Sequence, residues 1–433
     1  MSDESRPEAP PAAPKRKGKP ARKHTVGRVI LISAVVLALV TGLSTVYLIR
    51  HLNGNIEGIS TDNLGERPEE VYTGNGQPLD ILVMGSDSRD CAGCGIDQEG
   101  GGGSDTTILV HLSADRSRAY AVSIPRDSIV DRPEDGCDSP AATDVMWNQA
   151  YGINGPTCTL RQLEENTGIY VEHFVVVDFG NFGNMVDAVG GVDVCVPEDI
   201  VDRPRQIFVP KGNPSTLTGD EALDYVRARY VGDQLQQNDI SRIRRQQEFI
   251  GALVRQVMSA GTLTRLDKVV RFLDAATDAL QTDEEFASVT RLGKVAMQLR
   301  GIGLDKIKFV TLPTDYFPLD SEFRGKVFWT DQADQIWDLL NKDEVIPPRL
   351  LKGNSTSAEP PASANPETPS GTESPSDPES PTDTESPTET ESPTETESPT
   401  DTASPSDPTT PTTPSAPETS RPPEEEQIFG ICA

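Results

Sequence analysis

Three hydrophobic patterns divide the chain. From Val29 to Ile49 no charge interrupts the sequence, and Arg28 and Arg50 bracket the run. Crossing the hydrocarbon layer takes about 20 apolar residues, so this run predicts a transmembrane helix over 29–49. Lys15, Arg16, Lys17, Lys19, Arg22, Lys23 and Arg28 all precede it. That bias holds segment 1–28 in the cytoplasm and places everything after Arg50 outside the cell membrane. A cleaved signal peptide would show small residues at a cleavage site, whereas the chain continues RHLNGNIEG.

The second pattern fills residues 72–350, where short apolar runs alternate with amphipathic stretches. Leu79–Met84, Thr106–Leu112 and Arg118–Ile124 read as strands, the last two joined in a hairpin by the polar turn Ala114–Ser117. Leu160–Asn166 predicts a helix, His173–Phe179 a strand, Asn181–Val189 a helix closed by Gly190-Gly191, and Val192–Val196 a strand. Thr218 and Glu221 form a capping box ahead of a further helix. Asp239 opens a longer helix, and a strand at Lys306–Leu312 precedes a closing helix at Asp331–Leu340. The alternation predicts an α/β domain: a central mixed β-sheet flanked by helices on both faces. Residues 50–71 carry neither pattern and are expected to be a linker.

The third pattern is the absence of one. Residues 351–433 are dominated by Ser, Thr, Pro and Glu, with near-copies of ESPTET between Glu379 and Thr402. Such a composition cannot bury enough apolar surface to offset chain entropy, so a disordered tail is expected. The tail holds most of the acidic excess behind the net charge of −29, which therefore says little about the folded part. Six cysteines in an exported chain favour disulfides. Cys91–Cys94 and Cys137–Cys158 are plausible local pairs, which leaves Cys195 with Cys432; sequence alone does not fix the connectivity. Metal spacing is missing around Cys91 and Cys94, so a zinc site is not expected.

Candidate chemistry lies in four segments, three of them at strand ends, where open α/β sheets bind ligands. These are Gly85–Asp90, Ser104–Thr107, Ile124–Asp127 and the arginine-rich stretch from Tyr225 to Gln247. Asp87 and Asp105 are the pair suited to a metal, because Mg2+ is usually held by one or two carboxylates plus water and phosphate oxygens. Turn and cap roles are the ordinary alternative for each. Arginine reads phosphate oxygens in a two-pronged way, which gives Arg89, Arg126, Arg227, Arg229 and Arg242 a common purpose. Asp239, Arg242 and Gln246 stand at i, i+3 and i+7, on one helix face. Arg227 and Arg229 can share a pocket only if the helix from Thr218 ends by about Tyr225 or Val226, since residues two apart share a side only in extended chain. Arg244 reads as a solvated residue.

Taken together, GSDSR (85–89), SDTTILVHLSADR (104–116), SIPRD (123–127), WNQAY (147–151), HFVVVDFGNFGNMVDAVGGVDVCVP (173–197), LTGDEALDYVRARY (217–230) and DISRIRRQQEFI (239–250) resemble the LytR–CpsA–Psr family of bacterial envelope proteins. The chain's cysteine content and flavour suggest an actinobacterial member. The resemblance implies an external phosphotransferase. Such an enzyme moves a glycopolymer from a polyprenyl pyrophosphate carrier to a peptidoglycan sugar hydroxyl, forming a phosphodiester, with Mg2+ (or Mn2+) bridging the pyrophosphate. Carried over position by position, Asp87 and Asp105 look like the metal-side carboxylates. Arg89, Arg126, Arg227, Arg229 and Arg242 look like the pyrophosphate clamp, and Asp239 and Gln246 like positioning partners. The base for the acceptor's proton stays open between Asp239 and Asp87. Alternatives that use the same pocket are a hydrolase of the lipid pyrophosphate, a lipid-binding protein and a ligase that glycosylates a surface protein. A DNA-binding regulator is opposed by the span, the external domain and the acidic balance, since nucleic acid demands a basic surface.

Overall fold

The computed structural model describes residues 25–74, 76–86, 103–229, 231, 239–259 and 264–357. Asp87, Arg89, Cys91, Cys94, Cys432 and residues 358–433 of the expected tail lie outside the described residues. The first residues of that tail, 351–357, are instead part of the fold: Leu351 is buried and Ser355–Ser357 pair with the main sheet.

Helix α1 (Thr25–Asn55) is longer than the expected span at both ends. By length and composition it can cross a membrane. Its last turn does not lead into a linker. Leu52, Ile56 and Leu64 are buried, and β1 (Glu57–Ile59) joins the main sheet. The expected linker at 50–71 is thus built onto the domain. These three buried apolar side chains, scattered among polar ones, supply the burial but no readable period.

The elements that follow are β2 (Leu79–Ser86), β3 (Ser104–Leu112), β4 (Ala119–Ile124), β5 (Ile129–Arg132) and β6 (Ala142–Met146). Next come α2 (Gln149–Thr167), β7 (His173–Asp178), α3 (Phe179–Val189) and the strands β8 (Val192–Val196), β9 (Ile200–Asp202), β10 (Ile207–Val209) and β11 (Gly212–Leu217). Then α4 (Gly219–Arg227), α5 (Asp239–Met258), α6 (Leu266–Asp278), β12 (Leu280–Asp283), α7 (Val289–Ile302) and β13 (Ile307–Thr311) follow. The hairpin β14 (Thr314–Tyr316) and β15 (Val327–Trp329), helix α8 (Asp331–Asn341) and strand β16 (Ser355–Ser357) close the described chain. Helix α2 begins well before the expected Leu160, and it is broken at Asn154 and Gly155; Gly155 and the following proline hid its first turn from the sequence pattern.

Among the described residues the main sheet runs β1-β12-β7-β2-β3-β4-β13-β16. It is mixed: β2 pairs parallel with β7 and antiparallel with β3, and β4 pairs antiparallel with β3 and parallel with β13. Side chains alternate across it as period-two strands require. Leu82, Leu109, Val122, Phe174 and Val310 pack on one face with Leu160 and Leu163 of α2 and Trp337 of α8. Ile108, Leu112, Ala121 and Phe309 pack on the other with Ile302, Val295 and Leu299 of α7. A separate apolar cluster joins α3, α4 and α5 to the small strands β8–β11. Gly219 sits so close to Gly183 that a Cβ there would lie 2.4 Å from the Gly183 carbonyl oxygen; only glycine lets α4 approach α3 this nearly. Cys137 and Cys158 form a disulfide. Cys195 is also disulfide-bonded, and its expected partner, Cys432, is not among the described residues.

Strand directions fix where the anchor meets the sheet. β1 runs parallel to β12, and β12 runs antiparallel to β7. Glu57 therefore enters the sheet near Val176 and Val177, at the end where Ser86 pairs with Asp178. The same end carries the start of β3 and the finish of β4. His51 and Asn55 of α1 bond Asp274 of α6 at 2.9 and 3.1 Å, and Asn55 also bonds Thr277 at 3.2 Å. The apolar helix thus joins the domain firmly at the end of the sheet that bears the candidate segments.

The opposite end holds a buried charge cluster. His111 has no solvent exposure; its Nδ1 lies 2.9 Å from Asp80 and its Nε2 3.3 Å from Asp343. Burial alone would depress the imidazole, but the two carboxylates outweigh it and lift His111 to about 9. Neighbouring Glu172 is pushed up to about 8 by burial and by Asp80. A group whose folded pKa is raised contributes stability that is complete below its unfolded value and fades as pH climbs through the folded one. Both groups act in the same direction. Thermal unfolding should therefore show a falling Tm between pH 6.5 and about 9, and His111→Gln should make that slope shallower; an unchanged slope would mean that the imidazole is not charged in the fold.

Candidate active site

A bulge places the central carboxylate. Gly85 pairs with Thr106 and Ser86 with Ser104, so Asp105 is an extra residue in β3. Such an insertion breaks the in–out alternation and re-aims the side chain. Ser104 Oγ fastens the turn by donating to the carbonyls of Gly85 and Thr106, at 3.2 and 2.7 Å. Asp105 is thereby turned out of the sheet at its end, with its side chain about a quarter exposed.

Three arginines converge on it. Arg126 follows Pro125 at the end of β4, and its Nη1 donates to Asp105 Oδ1 at 2.9 Å. Arg229 reaches the same oxygen at 3.3 Å. Arg242 of α5 donates to the Asp105 carbonyl at 3.0 Å and lies 3.7 Å from Oδ2. Asp239, one turn earlier on α5, accepts from Arg242 at 2.7 Å and stands 3.6 Å from Arg126. The i, i+3 spacing expected for this pair is realised. Asp239 Oδ2 is buried and has no hydrogen-bond partner among the described residues.

The charges are unevenly matched. Burial would raise the Asp105 carboxyl, but Arg242, Arg229 and Arg126 outweigh it and hold it below the ordinary carboxylate range. Arg126 is stabilised as a cation: Asp239, Asp105 and Asp127 overcome the effect of burial. Arg229 goes the other way, to about 10, because burial and the like charges of Arg242 and Arg126 exceed the help from Asp105. Among the described residues, Arg126 and Arg229 are thus shifted in opposite directions by the same cluster.

The remaining expected residues take other positions. Arg227 is the last residue of α4, later than the Val226 limit set for a shared pocket, and its guanidinium lies 5.3 Å from the Phe179 ring. Ala228 is extended, which turns Arg229 away from Arg227 and towards Asp105. Gln246 is buried and donates to the Val226 carbonyl at 3.3 Å, so it braces the end of α4. Arg244 is not simply solvated, since it donates to the Gly353 carbonyl at 2.6 Å.

Several supports are not visible in the sequence. Arg245 is 1% exposed and donates to the Ala228 carbonyl, fixing the chain between Arg227 and Arg229. Asp202, at the end of β9, accepts the Arg229 backbone N–H at 2.8 Å. Asp127 bonds Lys326 at 2.9 Å, which ties the loop before β15 to the site. Gln247 links β4 to β13 through Ser123 and Thr311 at 2.9 and 3.2 Å. Asp127, Arg245 and Gln247 lie within the candidate segments, whereas Asp202 and Lys326 lie outside them.

Among the described residues no group of three or more metal-ligating side chains is present. Mg2+ is usually held by one or two carboxylates with water and phosphate completing the shell. Asp105, the one expected metal-side carboxylate that is described, faces Arg126, Arg229 and Arg242. Asp87, its expected companion, lies outside the described residues.

A family model described as the LytR_cpsA_psr family matches residues 46–343, which span every segment of this site. The chain belongs to that family. LytR_cpsA_psr relatives include the cell wall biosynthesis protein LcpA of Corynebacterium glutamicum, 30% identical over 67% of this chain and 60% of the relative. Another is the polyisoprenyl-teichoic acid–peptidoglycan teichoic acid transferase TagV of Bacillus subtilis, 30% identical over 59% of this chain and 63% of the relative. The chain thus spans about three fifths of the length of these relatives. Among solved structures, a LytR-Csp2A-Psr enzyme from Actinomyces oris superposes with a TM-score of 0.51 at 17% identity, covering 70% of this chain and 98% of that one. At that identity the likeness concerns the fold, and it agrees with the mixed sheet and flanking helices.

Asp105→Asn should leave three arginines facing one another without their common counter-ion. Breaking a fully buried pair costs about 3–5 kcal/mol; with Asp105 26% exposed, about 2 kcal/mol is expected here. Added inorganic pyrophosphate should raise the Tm of the variant more than that of the parent. An equal response in both proteins would show that the anion does not bind at these arginines.

Proposed function

We propose that the protein is a membrane-anchored phosphotransferase that moves a glycopolymer from a polyprenyl pyrophosphate carrier to a peptidoglycan sugar hydroxyl. The observation that carries this reading is the convergence of Arg126, Arg229 and Arg242, from three separate segments, on one carboxylate at the sheet end. Phosphoryl transfer asks the protein chiefly to position the groups and stabilise charge, so guanidinium donors matter more than a nucleophilic side chain. The names of the relatives supply the polymer, carrier and wall acceptor as a class.

In the reaction the acceptor oxygen attacks the phosphorus that bears the polymer. A new P–O bond forms, the P–O bond to the carrier breaks, and polyprenyl phosphate leaves with the bridging oxygen. Arg229 and Arg126 hold the phosphate oxygens, and Arg242, anchored by Asp239, fixes the direction of approach. Mg2+ (or Mn2+), with Asp105 and Asp87 as its carboxylates, would add charge neutralisation on the diphosphate. Asp239 Oδ2, which has no hydrogen-bond partner among the described residues, is the oxygen suited to receive the acceptor's proton. Helix α1 meets the sheet at the site's own end, which suits a carrier whose chain stays in the membrane. On this reading the N-terminus is cytoplasmic and the domain external.

Arg126→Ala and Arg229→Ala should each lower transfer from a lipid-linked donor by at least about 100-fold, the scale of a lost transition-state donor. Both variants should unfold near the parental Tm. Transfer at the parental rate in both would refute the assignment. Release of polyprenyl phosphate with water alone, and no product with any sugar acceptor, would favour the hydrolase.

A further inference from the structure

A cleft lies beside the β14–β15 hairpin. Its volume is about 530 Å³, and Thr314, Phe328, Trp329, Asp331, Gln332 and Asn354 line it. The hairpin β14–β15 that forms one wall is fastened to the active site: the Val327 N–H donates to the Asp127 carbonyl at 3.2 Å, and Lys326 bonds the Asp127 carboxylate at 2.9 Å. The other wall, at Asn354, is held by the Asn354 carbonyl on the Thr311 N–H at 2.7 Å, and Arg244 grips the adjacent Gly353. Through Asp127 the hairpin that walls the cleft is thus joined to the residue that follows Arg126 in the chain.

The lining specifies a class of ligand. Phe328 and Trp329 are half-buried rings, which present apolar faces. The side chains of Thr314, Gln332 and Asn354 make no hydrogen bond within the protein among the described residues, so a hydroxyl and two carboxamides are free to donate and accept. No Lys or Arg lines the cleft, and Asp331 brings a negative charge. Phosphate-bearing polymer would be repelled there. A neutral molecule with hydroxyl or acetamido groups and apolar C–H faces would match the amides on its edges and the rings on its flat side.

We propose that this cleft is a subsite for an uncharged saccharide, placed to hold sugar units next to the reacting hydroxyl. For the role of the sugar, though not for its binding, the inference rests on the transferase reading given above.

The test is direct binding to the full chain in detergent. The three tryptophans of the chain form one tilted stack, with Trp329 between Trp147 and Trp337 at 6.0 and 5.6 Å, so occupancy of the cleft should change their fluorescence. The probes are the N-acetylglucosamine tetramer, which has the chemistry of a wall glycan, and a poly(glycerol phosphate) oligomer, which has that of an anionic donor. The tetramer should give a saturable change, and the charged oligomer should not. The double variant Gln332→Ala/Asn354→Ala, which alters accessible side chains, should weaken the tetramer at least tenfold at an unchanged Tm. Arg126→Ala should leave tetramer affinity within twofold. No saturable signal, equal affinity in the double variant, preference for the charged oligomer, or loss of tetramer binding in Arg126→Ala would each overturn the proposal. If Arg126→Ala retains full transfer while the cleft variants still weaken the tetramer, the transferase assignment fails and the saccharide subsite stands.

Discussion

The structure around the site depends on one constraint: like-charged guanidinium groups can be gathered only if something negative sits among them. Asp105 does this for Arg126, Arg229 and Arg242 at once. The effect is uneven: the charged form of Arg229 is weakened by burial and by Arg242 and Arg126. Arg126 has three carboxylates around it and shows the opposite shift. On the proposed function, a bound diphosphate would add negative charge beside all three guanidinium groups.

The scaffold is organised to keep that gathering in place. A bulge points Asp105 outward, Pro125 ends the strand that carries Arg126, and an extended residue after α4 turns Arg229 inward. Arg245, Asp202 and Gln246 each bind backbone in the short segment from Val226 to Arg229. They act on position, through the chain that bears the arginines. The firm seat of α1 on α6 adds a second level of placement, since it holds the site end of the sheet next to the apolar helix.

Much of this was legible in the sequence. Short apolar runs located β2, β3, β4 and β7, the capping box at Thr218 located α4, and helical spacing paired Asp239 with Arg242. What was not legible has a common cause. The bulge at Asp105 depends on which residues of β2 face it, and no single strand reveals that. Asp202 and Lys326 come from segments with no local periodicity, so their roles exist only once the chain is folded. Arg227 and Gln246 look equivalent to their neighbours in composition, yet one lies against Phe179 and the other braces backbone. Residues 50–71 lack a period because their few apolar side chains fill gaps at the edge of the domain.

The central claim is that these arginines form one diphosphate site in which Arg229 is a binding member. Calorimetric titration of the full chain with farnesyl diphosphate and farnesyl monophosphate, with and without Mg2+, tests it most directly. The account predicts that the diphosphate binds at least tenfold more tightly than the monophosphate, and that Arg229→Gln removes most of this preference. Equal affinity for the two lipids, or a preference untouched by Arg229→Gln, would contradict it.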